Sequence, residues 1–85
     1  MNIQEHVFKA MGKKWNTYWD IREVLSSKGI YYSETSISAA MRDFRKPRWR
    51  RRFDLPSDGE VLIKERRGPL TNGIRGYKYR IVKGD

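Results

Sequence analysis

Residues 45–52 read Arg-Lys-Pro-Arg-Trp-Arg-Arg-Arg, six cations in eight positions, and side chains of this type at this density do one kind of chemistry: they neutralise a polyanion. The whole 85-residue chain leans the same way, with 19 Lys and Arg against 10 Asp and Glu, a formal net charge of +9 and a pI near 10.2. Covalent chemistry has little to work with. His6 is the single histidine, there is no cysteine, and the carboxylates are scattered rather than paired on an apolar run. General acid–base catalysis and metal binding both need such groups clustered. The sequence therefore predicts no enzymatic activity, no metal, no cofactor and no small-molecule substrate. Gly73-Ile74-Arg75-Gly76 is the nearest thing to a phosphate-cradling loop, but it falls in a predicted hairpin, where it cannot aim a helix dipole at phosphate.

These cations must be positioned by something, and a chain this short has room for one core, so residues 1–85 are read as a single domain. With no disulfide available, packing has to supply the stability. The charge is uneven: residues 1–41 are nearly balanced, and residues 42–85 carry almost all of the positive excess. Asn2 and Glu5 have capping-box spacing and precede an apolar stripe, which predicts a first helix over Ile3–Met11 closed by Gly12. A short extended piece, Lys14–Asn16, follows. Thr17 and Asp20 repeat the capping box before Tyr18, Ile21, Val24 and Leu25, so a second helix is expected over Tyr18–Lys28, with Gly29 and Ile30 forming a Schellman end. Ser33 suits the N-cap of a third helix, Glu34–Arg45, whose apolar positions Ile37, Ala40, Met41 and Phe44 leave a small, hydroxylated and basic outer face. Pro47 is expected to end it, and the 45–52 segment reads as irregular or extended. Glu60–Arg66 and Tyr77–Val82 are rich in β-branched and aromatic residues around a Gly-, Pro- and Asn-containing stretch, which predicts a β-hairpin with a basic tip.

Three helices, the last two joined by a tight glycine turn, then a hairpin: this order resembles a winged helix-turn-helix domain, an α+β fold of three helices followed by a two-stranded antiparallel wing. TYWDIREVLSSKGIYYSETSISAAMRDFR (17–45) carries the helix-turn-helix likeness; VLIKERR and GYKYRIV carry the wing. Small bacterial and bacteriophage regulators of this type are similar to it. The long basic link between third helix and wing departs from that pattern and leaves the first wing strand open, with Arg51–Phe53 as an alternative start. The resemblance implies double-stranded DNA as partner, with the third helix in the major groove. Thr35, Ser36, Ser38, Ala39 and Arg42 are then the base-reading candidates, Arg42 first, because its planar fork matches guanine O6 and N7. A phosphate contact, or an ion pair with Glu34 or Asp43, is its alternative role. Ser33, Arg45, Lys46, Arg48, Arg50, Arg51 and Arg52 are candidates for phosphate contact. Lys64, Arg66, Arg67, Asn72, Arg75 and Lys78 are the wing candidates for the backbone or minor groove.

The other residues invite plainer readings. Phe8, Trp15, Tyr18, Trp19 and Phe44 are expected in the core; Trp49 is expected under the wing rather than on an unpaired base. Tyr31 and Tyr32 could bury one ring and put one hydroxyl on a phosphate. No apolar run approaches membrane-spanning length, and the polar N-terminus is unlike a signal peptide, which points to the cytoplasm, in a bacterial nucleoid or a phage-infected cell. No heptad stretch is present, so a monomer or a weak, DNA-induced dimer is expected. Two other roles fit the same composition: a winged-helix protein-interaction or architectural module, and an RNA binder using the Arg-rich segment.

Overall fold

Each of the first three helices begins where a side chain takes up free amides. In the computed structural model, which describes residues 2–66 and 77–82, α1 spans Ile3–Met11, and the Glu5 amide donates to Asn2 Oδ1 at 2.9 Å. α2 spans Tyr18–Ser27 behind a complete capping box: the Asp20 amide donates to Thr17 Oγ1 and the Thr17 amide to Asp20 Oδ2. It closes as a Schellman end, with the Ile30 amide on the Leu25 carbonyl and the Gly29 amide on the Ser26 carbonyl, both 2.9 Å. Gly29 sits at φ 78°, a value that only glycine adopts without strain. α3 spans Glu34–Asp43, with the Ser36 amide on Ser33 Oγ.

Beyond α3 the structure departs from the sequence pattern. The third helix ends at Asp43, two residues early, in a tightened turn where the Phe44, Arg45 and Lys46 amides donate to carbonyls three residues back. Lys46 is extended, as the residue before a proline prefers, and Pro47 begins a further helix, α4, spanning Pro47–Arg52. Residues 47–52 of the segment expected to be irregular, including Arg51 and Arg52 of the stretch considered as strand, are therefore helical. Proline at the first helical position explains how: its missing amide proton is no loss there and its φ is already helical. α4 ends as α2 does. Asp54 takes the left-handed conformation (φ 57°) and the Leu55 amide reaches back to the Arg50 carbonyl at 2.8 Å.

Strands β1 (Leu62–Arg66) and β2 (Tyr77–Ile81) pair antiparallel, in register from Leu62 opposite Ile81 to Arg66 opposite Tyr77. β1 starts two residues later than the sequence pattern suggests and ends where it does, and β2 starts as expected and ends one residue earlier. On its other side β2 is joined by Asn16, which exchanges backbone hydrogen bonds with Tyr79 at 2.8 and 2.6 Å. The architecture is thus α+β, with four helices and a two-stranded sheet among the described residues. Val7 and Met11 of α1, Ile21 and Leu25 of α2, Ile37, Met41 and Phe44 of α3 and its end, Val61, and Leu62 and Ile81 of the sheet meet in one buried cluster. α4 is anchored aromatically: Phe53 stacks on Phe8 (centroids 4.3 Å apart, planes 7° apart) and Trp49 on Phe53, while Phe44 meets Phe8 and Phe53 edge-on. Trp49 therefore packs on Phe53; its expected place under the wing involves residues that lie partly outside the described ones. Trp19, expected in the core, is 60% exposed on the outer face of α2 with the Arg22 guanidinium over its ring.

Candidate nucleic-acid interface

The apolar residues of α3 face inward, so its remaining stripe faces out. Thr35, Ala39 and Arg42, spaced i, i+4, i+7, are exposed, with Ser36 exposed on one flank and Ser38 half-buried on the other. Ser33 serves as the cap and also donates its hydroxyl to Ser36 Oγ at 3.0 Å. Arg42 makes no hydrogen bond, ion pair or ring contact among the described residues, so neither pairing considered for it, with Glu34 or Asp43, is formed. Both flanks of the stripe are tied down. On one side Tyr18 of α2 links Ser38 to Tyr79 of β2 through hydroxyl contacts of 3.2 and 3.1 Å, and Arg45 Nη2 donates to the Leu62 carbonyl of β1. On the other side Gln4 of α1 donates to Asp43 Oδ2 at 2.9 Å.

Asp43 adjoins Arg42 in the chain, and its charge is already answered. The Lys46 ammonium, 2.9 Å from Oδ1, and then the Gln4 amide hold its carboxyl below the usual aspartate value, with only a weaker Coulomb attraction from Arg42.

The basic segment divides into held and unheld cations, a division that composition alone cannot make. Arg50 places each guanidinium nitrogen on a carbonyl: Nε donates to the Arg45 carbonyl (2.9 Å), Nη1 to Pro56 (3.1 Å) and Nη2 to Gly59 (2.9 Å). Three of its five N–H donors are spent within the fold, so Arg50 acts as a clasp and has fewer donors left for the phosphate contact expected of it. Lys46 and Arg52 are lightly held, by exposed ion pairs to Asp43 and to Glu5 of α1 (2.9 and 3.0 Å). Such pairs are worth about 0–1 kcal/mol and exchange readily for a polyanion. Arg48 lies over the Trp49 ring at 5.1 Å and makes no ion pair among the described residues. Arg51 is exposed, and its side chain has no partner among the described residues.

On the sheet, Lys64 lies over the Tyr77 ring at 4.9 Å, and Lys78 is 3.9 Å from Glu65 and over Trp15. Arg66 belongs to β1 by its backbone. Arg67, Asn72 and Arg75 lie outside the described residues. Arg80, absent from the sequence-based candidates, also covers Trp15, at 5.1 Å, so the half-buried indole carries two cations. Strand alternation puts Lys78 and Arg80 on one face; the arrival of Trp15 there follows from the Asn16 bridge, a long-range pairing. Tyr31 is 77% exposed, whereas Tyr32 packs on the core and its hydroxyl contacts His6 Nδ1 at 2.9 Å. No helix among the described residues is long and apolar enough to cross a membrane. Comparison with protein-family models, with curated proteins and with solved structures finds no match.

Proposed function

We propose that this chain is a double-stranded DNA-binding protein of winged-helix type, a regulator of transcription or of another DNA transaction. In this reading α3 lies in the major groove, Arg48 and Arg51 meet the phosphate backbone, and the basic connection 66–76 meets the backbone or minor groove. The observation that carries it is the outer stripe of α3: an arginine, Arg42, that makes no hydrogen bond or ion pair among the described residues and stands among small residues. Small side chains let a helix backbone approach the groove floor, and an uncommitted guanidinium is what reads guanine there. The net charge of +9 supports the same partner. A protein-interaction role is the second reading, favoured by the exposed Trp19 on α2.

Selection of bound duplexes from a random pool, followed by binding across a salt series, tests the proposal. Affinity should fall steeply with salt, by roughly 0.9 log units per log unit for each phosphate contacted. Arg42→Ala should weaken the selected site by about 1–3 kcal/mol while leaving random DNA nearly unaffected. Absence of duplex binding at low salt overturns the proposal, and an equal loss on every sequence removes Arg42 from base reading.

A further inference from the structure

Trp19 is the largest apolar side chain left exposed among the described residues. Arg22, Glu23 and Ser26 follow it on α2 at i+3, i+4 and i+7, and together the four line an open recess of about 390 Å³ on the outer face of the helix. We propose that this face is a self-association surface: α2 of a second copy packs beside it in parallel across a twofold axis, Trp19 against Trp19, with Arg22 of each copy paired to Glu23 of the other.

Symmetry and charge carry the inference. Consecutive residues of a helix stand about 100° apart, so Arg22 and Glu23 lie on opposite edges of the row formed by Trp19 and Ser26. A twofold contact uses the same patch on both copies. With the helices parallel, each edge meets the other edge of the second copy, which gives two pairs of Arg22 with Glu23. With the helices antiparallel, each edge meets its own counterpart, arginine on arginine and glutamate on glutamate. Opposite charges therefore select the parallel arrangement, as edge charges do in coiled coils. Both charges are open to it. Glu23 has no ion pair or side-chain hydrogen bond among the described residues, and Arg22 makes only the contact with its own Trp19 ring, at 5.9 Å. The same arrangement brings the two indoles together at the axis, where the recess beside each ring has room for the other in an offset stack. Ser26, one heptad on, is small enough to let the helices close behind them. α2 carries one cation, Arg22, against two carboxylates, Asp20 and Glu23, so this face does not suit the polyanion that the rest of a +9 chain attracts, and two such chains can meet on it. One stripe per copy buries less than the roughly 1,200 Å² of a standard interface, so the contact is weak in isolation. The inference stands apart from the DNA reading, and its test uses no DNA.

Sedimentation equilibrium provides that test, at protein concentrations up to about 1 mM and about 0.15 M salt, where repulsion between the +9 chains is screened beyond about 8 Å. The wild-type mass should climb with concentration from 10.2 kDa toward twice that value, and Trp19→Ala should stay at 10.2 kDa. Arg22→Glu and Glu23→Arg should each weaken association about tenfold, since both pairs then set like charges together. An equimolar mixture of those two variants should recover it, because each pair across the axis again joins opposite charges; a merely structural effect of either substitution would not be recovered. Ser26→Cys, in a chain with no other cysteine, should form a disulfide-linked dimer when oxidised with diamide, and faster than Thr35→Cys on α3. A wild type that stays monomeric throughout overturns the inference and leaves Trp19 to a different protein, and a mixture that associates no better than its components overturns it as well. Absence of the Ser26→Cys crosslink overturns the parallel arrangement on which the pairing of Arg22 with Glu23 depends.

Discussion

Arg50 separates two meanings of a basic residue. Its guanidinium joins the end of α3 at Arg45, the loop at Pro56 and the loop at Gly59, so it holds α4 and the approach to β1 against one another. Two of the three bonds are exposed and one is partly buried. At about 0.5 kcal/mol for each exposed bond and about 1 kcal/mol for the shielded one, Arg50→Ala should lose about 2 kcal/mol. In a domain of this size that lowers Tm by roughly 8–16 °C. Arg50→Lys should lose nearly as much, because a compact ammonium cannot span three separate carbonyls. Thermal unfolding by circular dichroism measures the first effect, and the salt dependence of DNA binding, taken well below Tm, measures the second. Both variants should keep the wild-type salt slope. Arg51→Ala, whose residue has no side-chain partner among the described residues, should do the opposite: Tm stays within about 2 °C and the slope shrinks by about 0.9. An Arg50→Ala protein with unchanged Tm and a slope reduced by about one unit would refute the clasp and return Arg50 to the phosphate backbone.

Thr17→Ala removes half of the reciprocal cap on α2 and should destabilise the protein by about 1 kcal/mol, while Thr17→Ser should be nearly neutral; urea unfolding reads both. Tyr79 sets an alkaline limit. Its phenol is held above the ordinary value of 10.0 in the fold and titrates normally in the unfolded chain, so its contribution is present below about pH 10 and is lost as pH rises further. Unfolding free energy should therefore drop more steeply between about pH 9 and pH 11 in wild type than in Tyr79→Phe, and parallel curves would show that the phenol is not shielded.

The first three helices are legible in the sequence because their signals are local. Asn2, Thr17 and Ser33 cap as their spacing suggests, Gly29 and Ile30 close α2 as expected, and the apolar stripes face the core. α4 is not legible. Its six residues carry four arginines and no apolar period, and what stabilises them comes from elsewhere: Trp49 and Phe53 rest on an aromatic cluster begun by Phe8, and Arg50 reaches Pro56 and Gly59. Proline is ambiguous in the same way, since Pro47 marks the end of one helix and the start of the next. Of the candidate site, the composition of the α3 stripe can be read from helical spacing. Which cations are already bound cannot, because Arg50 and Arg52 find partners only after the chain folds. Trp19 shows the limit of hydrophobicity as a guide: its position on α2 turns it outward.

The pairing of Asn16 with Tyr79 bears on how the protein is made. It joins a residue just after the first helix to β2, so the contact cannot form until residues 77–81 have left the ribosome. Local helices can appear during synthesis, but the sheet that braces α3 closes last, and contacts between such distant parts of a chain slow folding. A polypeptide stalled before residue 77 would display its arginines on an unfinished scaffold.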